Sequence, residues 1–186
     1  MKKTVELGFF LALSLILAYV ESLIPFSFGI PGIKLGLPNL IVVLLLYQGD
    51  RERTYPNQST VGRSSVDYGN VKEALMVNML RIVLSGFLFS NLYTILYALA
   101  GAFFSFGAML MGRRFQCFSM VGVSVLGGVF HNIGQILVAM FVVETFYVGY
   151  YIPFLIAAGT VTGAVLGIAA MELEPYLIRH ERNHKR

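Results

Sequence analysis

The sequence predicts an all-α integral membrane protein whose six transmembrane helices form one domain over residues 1–186. Two observations favour this class. Hydrophobic residues make up 56% of the chain and charged residues only 13%, which is about half the charged share of a typical soluble domain. The hydrophobic residues also collect in six long runs, most of which reach the roughly 20 residues that a helix needs to cross a bilayer.

The second of these runs is short and rich in helix-breaking residues. Pro31, Gly32, Gly36 and Pro38 precede or open it, which favours a tilted, broken or re-entrant helix. A core helix of a soluble protein is the alternative for this run alone, and its apolar neighbours argue against it. In chain order the six runs are Thr4–Ile24, Leu35–Gln48, Glu73–Ser90, Leu92–Gly112, Phe118–Val143 and Tyr151–Met171.

The positions of the basic residues predict the orientation, because cytoplasmic loops carry an excess of Lys and Arg. With six spans and a cytoplasmic N-terminus, Lys34 is the one basic residue placed outside, and Arg81 lies within a span. Both termini would then be cytoplasmic in a multi-pass protein of the cell membrane. A cleaved signal peptide is the alternative for the first run, but this run is long for a signal and lacks a clear cleavage site.

Two polar segments complete the predicted topology. Residues 49–71 are rich in Ser, Gly, Asn and charge, which is typical of a cytoplasmic loop. Residues 173–186 form a basic cytoplasmic tail that anionic lipid could attract. Because the basic residues stand between apolar runs, they indicate membrane topology, and a nucleic-acid partner is not expected.

Polar residues inside the spans point to a binding site. A guanidinium keeps its proton, so a bilayer tolerates Arg81 only inside a protein bundle or against water. Asn78, Arg81 and Ser85 share one helical face, and His131 and Gln135 lie on another. The predicted substrate-binding residues are Glu21, Lys34, Asn39, Asn78, Arg81, His131, Asn132 and Gln135. Interhelical hydrogen bonds that only hold the bundle together remain an alternative role for them.

Small residues recur at four-residue spacing, which lets helix backbones approach closely. In the first run Gly8 is paired with Ala12, and Ser14 with Ala18. In the sixth run the glycines are residues 159, 163 and 167. Each stripe could pack within the chain or against a helix of another protein.

Catalytic motifs are missing from the sequence. It has no nucleophile elbow, no zinc-protease motif, no phosphate-binding loop and no paired cysteines. Asp50 and Asp67, the two aspartates, both lie in the polar loop, so clustered carboxylates for magnesium and a diphosphate are absent. We therefore expect no catalytic residue, no metal and no cofactor, and any uphill transport must draw on a partner or an ion gradient.

Four motifs in combination resemble a known family. They are PGIKLGLPN (Pro31–Asn39), GVSVLGG (Gly122–Gly128), HNIGQ (His131–Gln135) and YYIPFL (Tyr150–Leu155). The chain resembles the Gx transporter family, also listed as heptaprenyl diphosphate synthase component I. That family is similar to the substrate-binding S components of energy-coupling factor transporters, which are six-helix membrane proteins.

The resemblance implies an S-component-like bundle that binds a vitamin or a related small molecule. Its partner would be a transmembrane coupling protein driven by two ATPase subunits. Gly8, Ala12, Ser14 and Ala18 would contact that coupling protein by position, in place of the usual alanine pair. The older family name implies an alternative, a non-catalytic membrane accessory subunit linked to heptaprenyl diphosphate synthase and quinone side-chain synthesis. A stand-alone carrier driven by an ion gradient is a third hypothesis.

Overall fold

The computed structural model describes residues 2–23, 34, 36–48, 68–115 and 118–184, and all regular structure among them is helical. Four of the helical segments are long and apolar enough to cross a membrane, namely Lys3–Leu23, Leu92–Arg114, Met120–Val142 and Phe146–Leu177. The predicted all-α membrane class is therefore confirmed. The helices are α1 (Lys2–Leu23), α2 (Asn39–Tyr47), α3 (Tyr68–Phe89), α4 (Leu92–Arg114), α5 (Met120–Val142) and α6 (Ile152–His184), with a 3-10 helix at Phe146–Tyr151.

Three helix boundaries differ from the apolar runs. Helix α2 begins only at Asn39, because Gly36 adopts a φ of 85° and Pro38 precedes the first turn. Helix α3 begins at Tyr68, so residues 68–71 of the predicted loop are helical, while residues 49–67 lie outside the described residues. Helix α6 continues through the predicted tail to His184, because a helix can extend from hydrocarbon into water while hydropathy marks only the apolar part.

Successive helices run in opposite directions. Gln48, just after α2, accepts a hydrogen bond from Asn70 of α3 and donates one to Glu6 of α1, and Lys3 pairs with Glu73. The start of α1, the end of α2 and the start of α3 therefore lie together at one end of the bundle, here called the Tyr47 end. The opposite end, where α1 and α3 finish, is called the Lys34 end because Lys34 donates to Ser90 there.

The short helix α2 forms the centre of the bundle. Every residue from Asn39 to Leu46 is buried, and α2 packs against α1, α3, α5 and α6. Large apolar side chains on the outer helices remain exposed, including Phe103, Phe141 and Val161. A soluble monomer rarely exposes so much apolar surface, whereas a bilayer solvates it.

Glycines set the contact between α5 and α6. A Cβ on Gly163 would lie 2.7 Å from the Val125 Cα, and one on Gly159 would lie 2.8 Å from the Gly128 carbonyl oxygen. Gly167 approaches the Val121 Cα in the same way. The glycine stripe of the sixth run therefore packs within the chain, which decides between the two roles that its spacing allowed.

Candidate functional site

A buried carboxylate ties the end of α1 to the non-helical segment before α2. Glu21 Oε1 accepts hydrogen bonds from the backbone N–H of Gly36 at 2.5 Å and of Leu37 at 3.3 Å. Non-helical backbone at membrane depth must find such partners within the protein. Glu21 supplies them, and its own side chain is buried.

The guanidinium of Arg81, on α3, lies in the same region. Arg81 is only 6% exposed. Its Nη2 and Nε donate to Asn78 Oδ1 at 2.8 and 3.3 Å, as their spacing on one helical face allows. Among the described residues, Asn78 is the one hydrogen-bond partner of the guanidinium, which carries five N–H groups in all. Donors are therefore left over, and Arg81 lies close enough to Glu21 and His131 to interact electrostatically with both.

His131 lies between α4 and the segment before α2. A Cβ on Gly101 of α4 would come within 2.8 Å of His131 Nδ1, and a Cβ on Gly36 would come within 3.2 Å of its Cδ2. A side chain at Gly101 would therefore force the imidazole to shift, while at Gly36 the left-handed φ of 85° is the stronger reason for glycine. Gly101 lies about 14 Å from the start of α4 at 1.5 Å per residue, so the ring lies near the middle of a helix that is long enough to cross a membrane.

Lys34 contacts both α5 and the end of α3. Its backbone N–H donates to Gln135 Oε1 at 3.3 Å, and its Nζ donates to Ser90 Oγ at 3.2 Å. Together with the contacts of Gly36, these bonds connect Lys34 and residues 36–37 to α1, α3 and α5. The segment therefore covers the polar cluster on the side of the Lys34 end.

Burial lowers the pKa of the Lys34 amine below its ordinary value. Desolvation is the largest cause and the Arg81 guanidinium acts in the same direction, while the Glu21 carboxylate opposes both. The amine is nevertheless only partly buried. Its lowered pKa comes mainly from burial.

Several buried polar atoms of the cluster have no hydrogen-bond partner among the described residues. They include Asn39 Nδ2 and Gln135 Nε2. These side chains are 5% and 0% exposed, and a buried polar atom without a partner costs roughly 1–3 kcal/mol. The amide nitrogens are donors, so the cluster is set up to receive acceptor oxygens.

The structure brings together seven of the eight predicted site residues. The exception is Asn132, whose Nδ2 donates to the Leu155 carbonyl oxygen of α6 at 2.8 Å and lies against Gly159. Asn132 follows His131 directly, and one residue along a helix turns a side chain by about 100°. It therefore faces α6, while His131 and Gln135 face α4.

Sequence reasoning missed two parts of this region. Gly101 has no signal beyond being a glycine in an apolar helix, and the backbone N–H groups of Gly36 and Leu37 cannot be read as ligands of a distant carboxylate. It also missed a second buried cation at the Tyr47 end. Arg113 lies over the Tyr47 ring at 5.0 Å and is buried, although its position next to Arg114 suggested a cytoplasmic loop.

The predicted docking residues divide between two faces of α1. Gly8 and Ala12 are exposed, and no atom lies within 4 Å of a Cβ built on Gly8. Ser14 and Ala18 are only 1% and 2% exposed, since they face the bundle. Only the first pair lies on a surface that another protein could contact.

No group of three His, Cys, Asp or Glu side chains that could hold a metal ion occurs within the part of the chain that the structure describes. Comparison with known proteins is decisive at the level of the family. The family model of heptaprenyl diphosphate synthase component I matches residues 10–55 and 61–173.

The chain belongs to the heptaprenyl diphosphate synthase component I family. The match covers most of the protein, including all eight predicted site residues, and confirms the resemblance that the sequence motifs indicated. No curated protein and no solved structure matches the chain. The buried cluster is therefore the main evidence on function.

Proposed function

We propose that the protein is a membrane-embedded substrate-binding subunit of a small-molecule importer of the energy-coupling factor type. The observation that carries the proposal is the buried cluster in which Arg81 and Glu21 lie beside amide groups with unused donors. Ionisable groups in a membrane bundle are costly and mark functional sites by default. A small anionic, vitamin-like or cofactor-precursor-like solute would offset that cost by supplying acceptor oxygens.

The proposed topology has six spans with both termini in the cytoplasm, so that solute enters at the Lys34 end. The distribution of charge supports it. Lys3, Lys72 and the Arg113–Arg114 pair belong to helix ends at the Tyr47 end, whereas Lys34 lies at the opposite end. The positive-inside rule then places the Tyr47 end in the cytoplasm, next to the loop 49–71 and the tail 173–186.

The proposed partner is a transmembrane coupling protein with two ATPase subunits. Support comes from α1, where Gly8 and Ala12 lie on an exposed face next to the exposed side chains of Val5 and Phe9. Small residues on such a face allow a partner helix to approach closely. Lipid would cover the other exposed apolar faces.

Arg81→Ala tests the proposed site, with Lys72→Ala as the matched control because Lys72 is an exposed cation on the same helix. Each protein is purified gently from native membranes, and mass spectrometry identifies the small molecules and proteins that it retains. We expect wild type and Lys72→Ala to retain the same small molecule and Arg81→Ala to lose it while still inserting into the membrane. Retention of that molecule by Arg81→Ala would contradict the proposed site.

The family name favours a second candidate, a non-catalytic accessory subunit linked to heptaprenyl diphosphate synthase. The same purification separates the two functions. Co-purifying ATPases support import, whereas a soluble prenyl diphosphate synthase in their place supports the accessory role. Uptake that follows an ion gradient without any ATPase would instead indicate a stand-alone carrier.

A further inference from the structure

The charges that face the buried cluster come from three elements. Helix α1 contributes Glu21, and α3 contributes Arg81. The segment before α2 contributes the Lys34 amine, which bonds Ser90 Oγ and lies close enough to interact electrostatically with Glu21 and Arg81. Helices α4 and α5 contribute Gly101, His131 and Gln135, none of which has a permanent charge. Residues 24–33, which link α1 to Lys34, include no charged residue in the sequence. With the imidazole neutral, two cations and one carboxylate leave a net charge of +1.

The Glu21 carboxylate is held in place within the site. Glu21 Oε1 is held by the backbone N–H groups of both Gly36 and Leu37, and the side chain is only 6% exposed. In its ionised form it therefore compensates one of the two cations. A ligand has to compensate only the other one.

Within the described part of the site, the hydrogen-bonding atoms that remain are mainly donors. They are the leftover N–H groups of Arg81, together with Asn39 Nδ2 and Gln135 Nε2. A planar carboxylate matches the forked donors of a guanidinium and can accept further bonds on both oxygens. A phosphate dianion would also offer oxygens, but its second charge would meet the Glu21 carboxylate without a cation to balance it.

We propose that the site takes a ligand whose polar group is a single carboxylate, and that Glu21 sets this selectivity by disfavouring phosphate dianions and diphosphates. The inference rests on the proposed function, since it names the ligand class of the same site. The proposed ligand class therefore differs from the diphosphates that the family's description names.

The experiment compares probes that share one methyl group, namely acetate, methyl phosphate and neutral acetamide. Purified wild type and Glu21→Gln are titrated with each probe at constant ionic strength and at about pH 7.5, where a phosphate monoester is largely a dianion. Affinity is read from the rise in melting temperature with probe concentration. We expect wild type to favour acetate over methyl phosphate by about tenfold or more, and Glu21→Gln to reverse that preference.

Glu21→Gln keeps an amide oxygen that can accept from Gly36 and Leu37, so the fold should survive. Glu6→Gln is the matched control, because it removes the same charge from the same helix at the Tyr47 end, where Glu6 bonds Gln48. It should leave the preference unchanged. Lys34→Gln brings the net charge to zero and should weaken both anions by about tenfold without affecting acetamide.

A wild-type preference for methyl phosphate, an unchanged preference in Glu21→Gln, or no binding of either anion would each overturn the charge rule. These failures differ from failure of the proposed function. If Arg81→Ala still loses the molecule that wild type retains, the binding site stands and only the ligand class is wrong. If Arg81→Ala keeps that molecule, the proposed function falls as well.

Discussion

The Glu21 carboxylate and the backbone N–H of Gly36 are joined by a 2.5 Å hydrogen bond in the interior of the bundle. This bond links the end of α1 to the segment that covers the polar cluster. Gly36 also adopts a left-handed φ of 85° and contacts His131. The acidic side chain of one helix thus determines where an unusual backbone segment lies against a histidine of another.

Gly36→Ala should therefore lower both stability and ligand retention. The left-handed conformation costs a side chain about 1–2 kcal/mol, and the new Cβ would lie 2.9 Å from Asn39 Nδ2. We expect a lower melting temperature and weaker retention of the co-purified small molecule. Gly107→Ala is the control, because nothing lies within 4 Å of its Cβ in α4. Equal melting temperatures and equal ligand retention in the two variants would contradict this prediction.

As the pH is raised, the affinity for acetate should begin to fall at a lower pH than the ordinary pKa of a lysine would predict. The pKa of Lys34 is lowered, so the amine loses its proton below its ordinary range, and one of the two cations of the site disappears. Below that lowered pKa the full charge is present and acetate binds normally. Lys34→Arg keeps the charge, so its acetate affinity should stay flat over the same pH range. Parallel pH profiles for the two proteins would refute this role of Lys34.

Gln135 and Asn132 should respond differently to substitution although both lie in HNIGQ. Gln135→Met removes the unpartnered Nε2 donor and also the oxygen that accepts from the Lys34 backbone N–H, so ligand retention should fall and stability should drop by about 1 kcal/mol. Asn132→Ala removes the bond to the Leu155 carbonyl oxygen, so it should cost about 1–2 kcal/mol of stability and leave retention intact. Loss of retention in Asn132→Ala at unchanged stability would place Asn132 in the site after all.

Gly163→Ala should separate α5 from α6. Its Cβ would lie 2.7 Å from the Val125 Cα and 2.8 Å from the Ser124 carbonyl oxygen, and backbone atoms cannot turn aside as a side chain can. Overpacking of this kind costs about 1–3 kcal/mol, which a thermal unfolding curve in detergent would register. Gly8→Ala, on the open face of α1, should leave that curve unchanged. Only the Gly8 variant is then suited to testing the proposed docking with a coupling protein.

The faces of single helices were predictable from the sequence. Asn78, Arg81 and Ser85 are all buried together on α3, and His131 and Gln135 share the face of α5 that meets α4. Helical periodicity determines which residues share a face but not which neighbour that face meets. Asn132 belongs to the same motif as His131 and Gln135 but faces a different helix. Ser14 and Ala18 likewise face the bundle, whereas Gly8 and Ala12 of the same small-residue stripe are exposed.

By itself the sequence determined the membrane class, the approximate helices and the presence of Arg81 and His131 within apolar segments, because hydropathy and periodicity are local properties of the chain. Only the tertiary structure decided that Glu21 holds Gly36, that Gly101 makes room for His131, and that the α6 glycines pack on α5. These contacts join residues far apart in the chain, and their partners follow from how whole helices pack against one another, which no local pattern encodes.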